Sequence, residues 1–403
     1  MEFRRLGPDD LEPLARVARL AFSNDIGRPA DDMLGGIEME RFFGAFDGDL
    51  LVGAIGAYTL DMTVPGGGSM PVSGTTLAVV MPTHRRQGIL RKLMLLHVEE
   101  SRESGALAAA LWASEAGIYE RFGYGRAFDR LDVHIDIPSE IRRTAPIVGT
   151  VRLVEGEDAA AALREVWNLV RPLRPGRSQR SDDWWTWSVF SDPTEERAGY
   201  SPFRFAVVDA DGRPAGYVKY RSKLDVPGNF RLRGQVEVEE LHAASDAAEA
   251  ALWSFLIEQD LVTDIRVGNL PVDSIVAWLL ADHRTAHRRL VEGGWMRLLD
   301  VAGAWEARSY ASDGRIALAV TDPLLPDNDG IWELTVANGR GLCRRTEREP
   351  DLTIASEAAG ATYLGAVTWR QMLASGHVQG SSDSIALADS MFAAAAAPWF
   401  DFF

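Results

Sequence analysis

The amino-acid sequence predicts a mixed α/β protein in which one order of strands and helices occurs twice and a smaller α+β segment follows. Apolar strands alternate with helices of apolar periodicity in residues 1–147 and again in residues 148–298. In residues 299–403, strands with alternating apolar residues precede two helices, a pattern typical of an antiparallel α+β domain. We therefore expect three domains with these boundaries, the second a copy of the first.

The composition favours a cationic substrate. The chain has 403 residues and a formal net charge of −16, from 42 basic and 58 acidic side chains, which argues against a nucleic-acid partner. A single cysteine excludes an intrachain disulfide and a cysteine-based zinc site. The acidic N-terminus argues against a signal peptide, and no apolar stretch approaches ~20 residues. We expect a cytoplasmic protein that binds neither nucleic acid nor membrane.

The first segment predicts a crossover between parallel strands. A helix at 11–21, capped by Asp9, and a hairpin at Asp47–Gly48 come first. An apolar strand at 75–81, a helix, and a second apolar strand at 106–113 then follow.

The second segment repeats this order but lacks one feature. Its strand at 236–241 passes to a helix at 246–259 without the glycine-containing turn that the first segment has at Gly88. We expect the second copy to have lost whatever that turn binds.

The third segment predicts helices at 361–374 and 385–397 and then ends on four aromatic residues. Chain ends are usually polar and frayed, so we expect these aromatic residues to be buried. They are Trp399, Phe400, Phe402 and Phe403.

A short basic turn after the strand at 75–81 is the strongest functional signal. It reads Met81-Pro-Thr-His-Arg-Arg-Gln-Gly-Ile-Leu-Arg91, and a helix begins at Gly88. The first amides of a helix have no partners within the helix, and the helix dipole is positive there. With Arg85 and Arg86 they form a cradle suited to a pyrophosphate, although a solvated basic helix start has the same spacing. The turn lacks the residues of a P-loop and of a dinucleotide fingerprint.

The turn resembles the acetyl-CoA signature of the GNAT superfamily of N-acetyltransferases, Arg/Gln-x-x-Gly-x-Gly/Ala, with Leu90 at the last position. Together with Ser114-Glu-Ala-Gly-Ile-Tyr-Glu-Arg-Phe-Gly-Tyr124, it resembles the enhanced intracellular survival (Eis) acetyltransferases. The resemblance implies tandem GNAT folds, each a mixed sheet flanked by helices, the second without the cofactor turn, and a C-terminal sterol-carrier-like domain. It also implies acetyl-CoA as acetyl donor, no metal, and a homo-oligomer, in this family a hexamer.

By the same resemblance, three groups of residues bind acetyl-CoA. They are the strand backbone of Ala78, Val79 and Val80 for the acetyl and pantetheine groups, Arg85, Arg86, Gln87, Gly88, Ile89, Leu90 and Arg91 for the pyrophosphate, and Ser114 and Glu115 beside the pantetheine. We expect the two parallel strands to splay there, because ligands of α/β sheets bind beyond the carboxyl ends of the strands.

Tyr119 matches the proton donor of the family. The reaction expels a CoA thiolate, which a phenol with a pKa of about 10 can protonate while remaining protonated at neutral pH. Tyr124 is the alternative, and since the two lie five residues apart we expect them not to face one point. We favour Tyr119 because it begins the pattern Tyr-x-x-x-Gly-Tyr.

The attacking amine, with a pKa of about 10, must lose a proton. In Eis-like proteins the C-terminal carboxylate accepts it, which here belongs to Phe403. Burial of the aromatic end would bring this carboxylate into the protein and raise its pKa. His84 and Glu115 are the alternatives. The chain ends on two aromatic residues after Asp401 where the family often has one, which changes the expected place of Asp401.

The family places acceptor contacts in the loop after the first helix, which here contains Asn24 and Asp25, and Asp401 would add negative charge. Such a pocket would attract aminoglycosides, polyamines or lysine side chains, although Asp25 equally suits a turn cap. Two other functions stay open: a lipid or sterol carrier that uses the C-terminal domain, and transfer of a longer acyl group.

Overall fold

The computed structural model describes residues 1–23, 29–226 and 232–403. They form two compact units. The first comprises Met1–Phe128, Pro175–Ser191 and Gly293–Phe403, and the second comprises Asp129–Arg174 and Asp192–Glu292. Neither unit is one continuous stretch of chain.

The strands and helices of the first two parts include the predicted ones in the predicted order, whereas the third part begins with a helix and has a strand between its last two helices. The first part contains β1 Glu2–Arg5, α1 Leu11–Phe22, α2 Ala30–Met33, β2 Phe43–Asp47, β3 Leu50–Thr63, β4 Ser69–Val80, α3 Ile89–Glu103, β5 Ala108–Trp112, β6 Gly125–Arg126 and β7 Asp129–Asp136. The second contains β8 Thr150–Val154, α4 Gly156–Val170, α5 Asp182–Trp184, β9 Arg204–Ala210, β10 Arg213–Asp225, β11 Arg233–Ala243, α6 Asp246–Ile257, β12 Val262–Pro271, α7 Val276–Leu279, β13 Ala286–Glu292 and β14 Gly294–Leu298. The third contains α8 Val301–Ala307, β15 Gly314–Thr321, β16 Gly330–Ala337, β17 Arg340–Arg345, β18 Leu352–Ala355, α9 Ser356–Thr362, α10 Trp369–Ala374, β19 Val378–Gly380 and α11 Ser382–Phe392.

The first unit contains a seven-stranded sheet in the order β1-β2-β3-β4-β5-β14-β6. β4 and β5 are parallel and joined by α3, so the predicted crossover is confirmed. The N-cap of α1 is Asp10 and not Asp9. The Asp10 carboxylate accepts hydrogen bonds from the Gly7 amide and from Arg4, which hold the start of the helix against β1.

The second unit contains a sheet in the order β13-β7-β12-β11-β10-β9-β8, with β11 and β12 parallel on either side of α6 in the chain. One strand in each sheet comes from the other half of the sequence. β14 lies antiparallel between β5 and β6, and β7 lies antiparallel between β12 and β13. Each sheet therefore contains one strand, β14 or β7, that the division of the sequence at residues 147 and 298 assigns to the other GNAT copy.

A five-stranded sheet, β17-β16-β15-β18-β19, also belongs to the first unit. The predicted helix at 361–374 is two helices, α9 and α10, and between them Gly365 adopts a left-handed φ of +81°. The predicted helix at 385–397 ends at Phe392, after which Ala393 is extended. Within the described parts of the chain, no helix is both long enough and apolar enough to cross a bilayer.

Candidate functional site

The strands β4 and β5 separate where the sequence predicts a cleft. They pair from Val72–Ala108 to Gly74–Ala110, and β4 then continues to Val80 without β5 beside it. A cavity of about 180 Å³ opens at this separation. Its lining residues are Phe22, Thr75, Thr76, Leu77, Ala78, Leu111, Trp112, Ser114, Tyr119 and Phe403.

A bulge turns β4 at the edge of this cavity. Leu77 and Ala78 together face the single residue Ile55 of β3, and Leu77 has a left-handed φ of +46°. A bulge interrupts the ladder and leaves backbone groups without a strand partner. The predicted pantetheine strand, Ala78 to Val80, begins here. The side chain of Val79 is buried in the core, so its backbone alone can serve a ligand.

The basic turn has the backbone of an anion site. A short 3-10 turn at Pro82–His84 follows β4, and both Arg86 and Gly88 have left-handed φ angles, +63° and +78°. Gly88 is the N-cap of α3 and carries no side chain that could accept hydrogen bonds from the first amides of the helix. Arg85 and Arg86 are exposed, and Arg85 donates to the Ala21 carbonyl over 3.4 Å. The turn therefore presents amides and cations to a ligand.

Tyr119 lies in the cavity wall and is 4% exposed. Burial is the largest effect on its pKa, which is raised; the Ser114 hydroxyl acts in the opposite direction, and the negative charge of Glu115 raises it further. The phenol is therefore protonated at neutral pH. Ser114 lines the same cavity, whereas Glu115 is exposed and is not among the lining residues.

Tyr124 lies next to Tyr119 but is not among the residues that line the cavity. Their rings are 6.2 Å apart in an edge-to-face arrangement, because the short turns at 116–118 and 120–122 fold back on themselves. Tyr124 is fully buried, which raises its pKa to about 12, and its hydroxyl lies 3.0 Å from Thr75 Oγ1. Thr75 lines the cavity, so Tyr124 contacts the site through one intervening side chain.

A buried polar chain beneath the cavity was not identified from the sequence. Thr75 Oγ1 lies 2.7 Å from His97 Nε2, and burial lowers the pKa of His97 to about 3. On the same helix, Glu100 accepts two hydrogen bonds from the buried Arg41, both over 3.0 Å. These polar residues interrupt the apolar face of α3. That interruption is the feature of the sequence from which a buried polar cluster could have been predicted.

The aromatic C-terminus is buried in part. Trp399 and Phe400 are 4% and 0% exposed, whereas Phe402 is 55% exposed and Phe403 is half-buried. The prediction that all four aromatic residues are buried is therefore wrong for Phe402 and holds only in part for Phe403. The Phe402 ring stays on the surface and contacts Trp112 at 4.2 Å between centroids. Phe403 lines the cavity with Tyr119.

Asp401 does not line the cavity. Its carboxylate is 6% exposed and pairs with Arg180 over 2.5 Å, so its charge is already compensated. The other predicted acceptor residues, Asn24 and Asp25, lie outside the described residues. His84 is also absent from the cavity wall; it hydrogen-bonds Thr83. Within residues 1–23, 29–226 and 232–403, no group of three or more His, Cys, Asp or Glu side chains is arranged to hold a metal ion.

Known protein families match the chain in three places. Two GNAT acetyltransferase domain models match residues 2–127 and 176–299, and a sterol carrier protein domain model matches residues 301–401. Together these matches cover most of the sequence in the order that the resemblance predicts.

Relatives align along most of the chain. An N-acetyltransferase from Streptomyces avermitilis is 36% identical over 368 residues, which cover 90% of this chain and 89% of that protein. N-acetyltransferase Eis from Mycobacterium tuberculosis is 31% identical over 332 residues, which cover 80% of this chain and 78% of that protein. The crystal structure of Eis1 from Mycobacterium abscessus superimposes with a TM-score of 0.87 at 29% identity, over all of both chains. The chain therefore belongs to the Eis family of GNAT N-acetyltransferases, with tandem GNAT domains and a C-terminal sterol-carrier-like domain.

Proposed function

We propose that this enzyme transfers the acetyl group of acetyl-CoA to a primary amine of a cationic acceptor, with Tyr119 as general acid and the main-chain carboxylate of Phe403 as general base. One observation carries the proposal: Tyr119, from the first segment of the first unit, and Phe403, from its last segment, line one cavity where β4 and β5 separate. GNAT domains use acetyl-CoA and act on amines. What we add is the chemical class of the acceptor and the two residues that act as acid and base.

Acetyl-CoA would lie along the free edge of β4. The bulge at Leu77–Ala78 supports this placement, because its backbone groups are available to the pantetheine amides. The amides of residues 88–91 and the exposed Arg85 and Arg86 would hold the diphosphate. Ser114, at the end of β5, would flank the pantetheine.

The proposed chemistry is direct attack. The Phe403 carboxylate first takes a proton from the ammonium group and releases it to solvent. The free amine nitrogen then attacks the thioester carbonyl carbon and forms the C–N bond, and the carboxylate takes a second proton from that nitrogen. The tetrahedral intermediate then breaks its C–S bond, and the departing thiolate takes the proton of the Tyr119 hydroxyl. The products are an amide and free CoA, and solvent returns the proton from the carboxyl group to the phenolate.

The acceptor side favours a cation. Phe22, Trp112 and Phe403 are aromatic residues of the cavity lining, and the faces of aromatic rings attract ammonium groups. The net charge of −16 raises the local concentration of cations further. Asn24 and Asp25 stay part of this proposal as predicted acceptor contacts. We also propose, from the family alone, a cytoplasmic homo-oligomer such as a hexamer. The domain boundaries at 147 and 298, expected from the order of elements in the sequence, are part of the proposal as well.

The packing of the C-terminal domain weighs against a lipid carrier. Trp305, Tyr310 and Trp369 contact the Phe392 ring edge-on, with centroids 6.4, 5.2 and 5.1 Å away. The buried Arg308 lies over the same ring and donates to the Phe392 carbonyl over 2.7 Å. These groups fill the space around Phe392 in the interior of the domain with side chains.

The acid is tested by two matched substitutions assayed through thiol release from acetyl-CoA. Tyr119→Phe removes one hydroxyl and should lower kcat by about 100-fold or more, because general acid catalysis contributes that much, with the KM for acetyl-CoA nearly unchanged. Tyr124→Phe removes the hydroxyl that contacts Thr75 and should have a much smaller effect. A larger loss for Tyr124→Phe would reverse the assignment.

The base is tested by extending the chain. Two extra residues after Phe403 move the terminal carboxylate and should lower kcat by about 100-fold. The same two residues added before Met1 are the control. Full activity of the C-terminally extended enzyme would eliminate the carboxylate of Phe403 as the base.

A further inference from the structure

A segment from the middle of the sequence lies beside the C-terminal tail in the first unit. The amide of Gly176 donates to the Thr63 carbonyl over 2.8 Å, and the Thr63 amide donates to the Arg177 carbonyl over 2.7 Å. These main-chain bonds fasten the segment to the end of β3. Arg180, three residues further on, therefore projects from an anchored backbone.

Arg180 forms a buried ion pair with the tail. Its Nη2 and Nε lie 2.5 and 3.2 Å from Oδ1 of Asp401, and the two side chains are 1% and 6% exposed. The guanidinium also lies 5.1 Å from the centroid of the Trp185 ring. A buried pair of this kind favours one geometry strongly, because separating two buried opposite charges costs free energy in a dry environment.

The tail has further main-chain anchors around Asp401. The Trp399 amide donates to the Pro175 carbonyl over 2.9 Å, and Trp112 Nε1 donates to the Asp401 carbonyl over 2.8 Å. Asp401 is thus held through both its side chain and its backbone. Two residues span at most about 7 Å, so fixing Asp401 confines the carboxylate of Phe403 to a small volume at the cavity.

We propose that Arg180 is a positioning residue for the reaction: through Asp401 it holds the C-terminal tail so that the Phe403 carboxylate reaches the attacking amine. This inference rests on the proposed function, in which that carboxylate is the base. It assigns the acidic side chain of the tail to the support of the base and not to acceptor binding.

The test compares two acceptors with different needs for a base. Spermidine carries protonated amines at pH 7, whereas methoxyamine is already neutral, so loss of a positioned base should slow the first far more than the second. The double variant Arg180→Met/Asp401→Leu removes both charges of the pair together, so neither is left facing the other's empty place. We expect its kcat/KM for spermidine at pH 7 to fall about 30-fold and that for methoxyamine less than about 3-fold.

The pH profile supplies a second readout. Without a positioned base, the variant depends on free amine, so its kcat/KM for spermidine should rise about tenfold per pH unit between pH 7 and 9, more steeply than that of the unmodified enzyme. Arg180→Lys keeps the positive charge and should recover part of the loss. Arg174→Met/Asp273→Leu removes another Arg–Asp pair, 2.7 Å apart, and should change neither acceptor's rate.

The outcomes distinguish the positioning role of Arg180 from the role of the Phe403 carboxylate as the base. Equal losses with both acceptors, or no loss with either, would overturn the positioning role of Arg180. If extension beyond Phe403 leaves spermidine turnover intact, the proposed base itself is wrong. If that extension abolishes turnover but the double variant behaves like the unmodified enzyme, the base stands and only the role of Arg180 is lost.

Discussion

The two GNAT copies have the same strand–helix–strand unit but connect the strand to the helix differently. In the first copy, residues 81–88 separate β4 from α3; in the second, residues 244–245 alone separate β11 from α6. The longer turn has room for two arginines and a glycine with left-handed φ. The shorter turn has no such residues, as the sequence indicates.

The two helices also satisfy their first amides differently. In the second copy the Ser245 hydroxyl accepts a hydrogen bond from the Ala248 amide over 3.2 Å, so the helix caps itself. In the first copy Gly88 has no side chain, and the amides are left for a ligand. The helix start in the second copy is capped by its own side chain, whereas the one in the first copy is open, as the proposed diphosphate site requires.

The faces that these helices bury differ as well. α6 buries an almost wholly apolar set that includes Leu252, Trp253 and Leu256. α3 buries His97 and Glu100 next to the candidate site. Polar groups in a core cost stability unless they are hydrogen-bonded, and here Thr75 and Arg41 provide the partners of His97 and Glu100.

The largest effect should come from converting the open turn into a self-capped one. Gly88→Asp places a carboxylate where it competes for the amides and repels the diphosphate, and the KM for acetyl-CoA should rise about 30-fold, or about 2 kcal/mol. Gly212→Asp in the second copy is the matched control, because Gly212 has φ +77° against +78° and equally open surroundings. An unchanged KM for Gly88→Asp would mean that the turn does not bind the diphosphate.

Acid should weaken the first copy through His97. Burial lowers the pKa of His97 to about 3 in the folded protein, against about 6.5 in the unfolded chain, so the unfolded state binds the proton first. Stability is then complete above pH 6.5 and falls as the pH drops, by about 2 kcal/mol at pH 5. Urea unfolding at pH 8 and pH 5 measures this loss.

His97→Gln should remove most of that pH dependence, whereas the exposed His283→Gln should not change it. The same pH dependence in the His97 variant and the unmodified protein would show that other groups account for the loss.

A smaller effect is expected from one cation of the turn. Arg86→Ala should raise the KM for acetyl-CoA about fivefold at low salt, and the difference from the unmodified enzyme should shrink at 0.5 M NaCl because exposed charges are screened. Arg213→Ala, an exposed arginine of the second copy, serves for comparison and should leave the KM unchanged. A KM ratio that does not respond to salt would argue against an electrostatic role for Arg86.

The smallest effect should be in the second copy. Ser245→Ala removes the helix cap and should lower the free energy of unfolding by about 1 kcal/mol, with no effect on the KM for acetyl-CoA. Chemical denaturation and thiol-release kinetics on one preparation measure both quantities. A change in KM without a loss of stability would indicate that the second copy takes part in donor binding.

Features that depend on neighbouring residues could be predicted from the sequence. The parallel strands around α3, the hairpins and the turn at Gly88 each follow from residues within about one element of each other, and the structure has them all. The location of Tyr119 and Phe403 in one cavity required the family resemblance as well. The spacing argument placed only one of Tyr119 and Tyr124 at the site. Tyr119 lines the cavity and Tyr124 does not, although consecutive short turns bring their rings within 6.2 Å of each other.

The exchange of β7 and β14 could not be predicted. An alternating strand shows which side chains face a core but not which sheet supplies the core, and both sheets offer an apolar face. The partner of Asp401 had the same difficulty: its carboxylate could face an acceptor or a buried arginine, and nothing near it in the sequence distinguishes the two.

The sequence by itself determined the order of elements, the open helix start at Gly88 and an aromatic chain end, since these follow from local backbone preferences and side-chain chemistry. Only the tertiary structure decided that β14 completes the first sheet, that Phe402 stays exposed and that Arg180 pairs with Asp401. Such pairings bring together residues distant in the chain. Their stability comes from burial and charge compensation in the folded state, and neither can be predicted from a local sequence pattern.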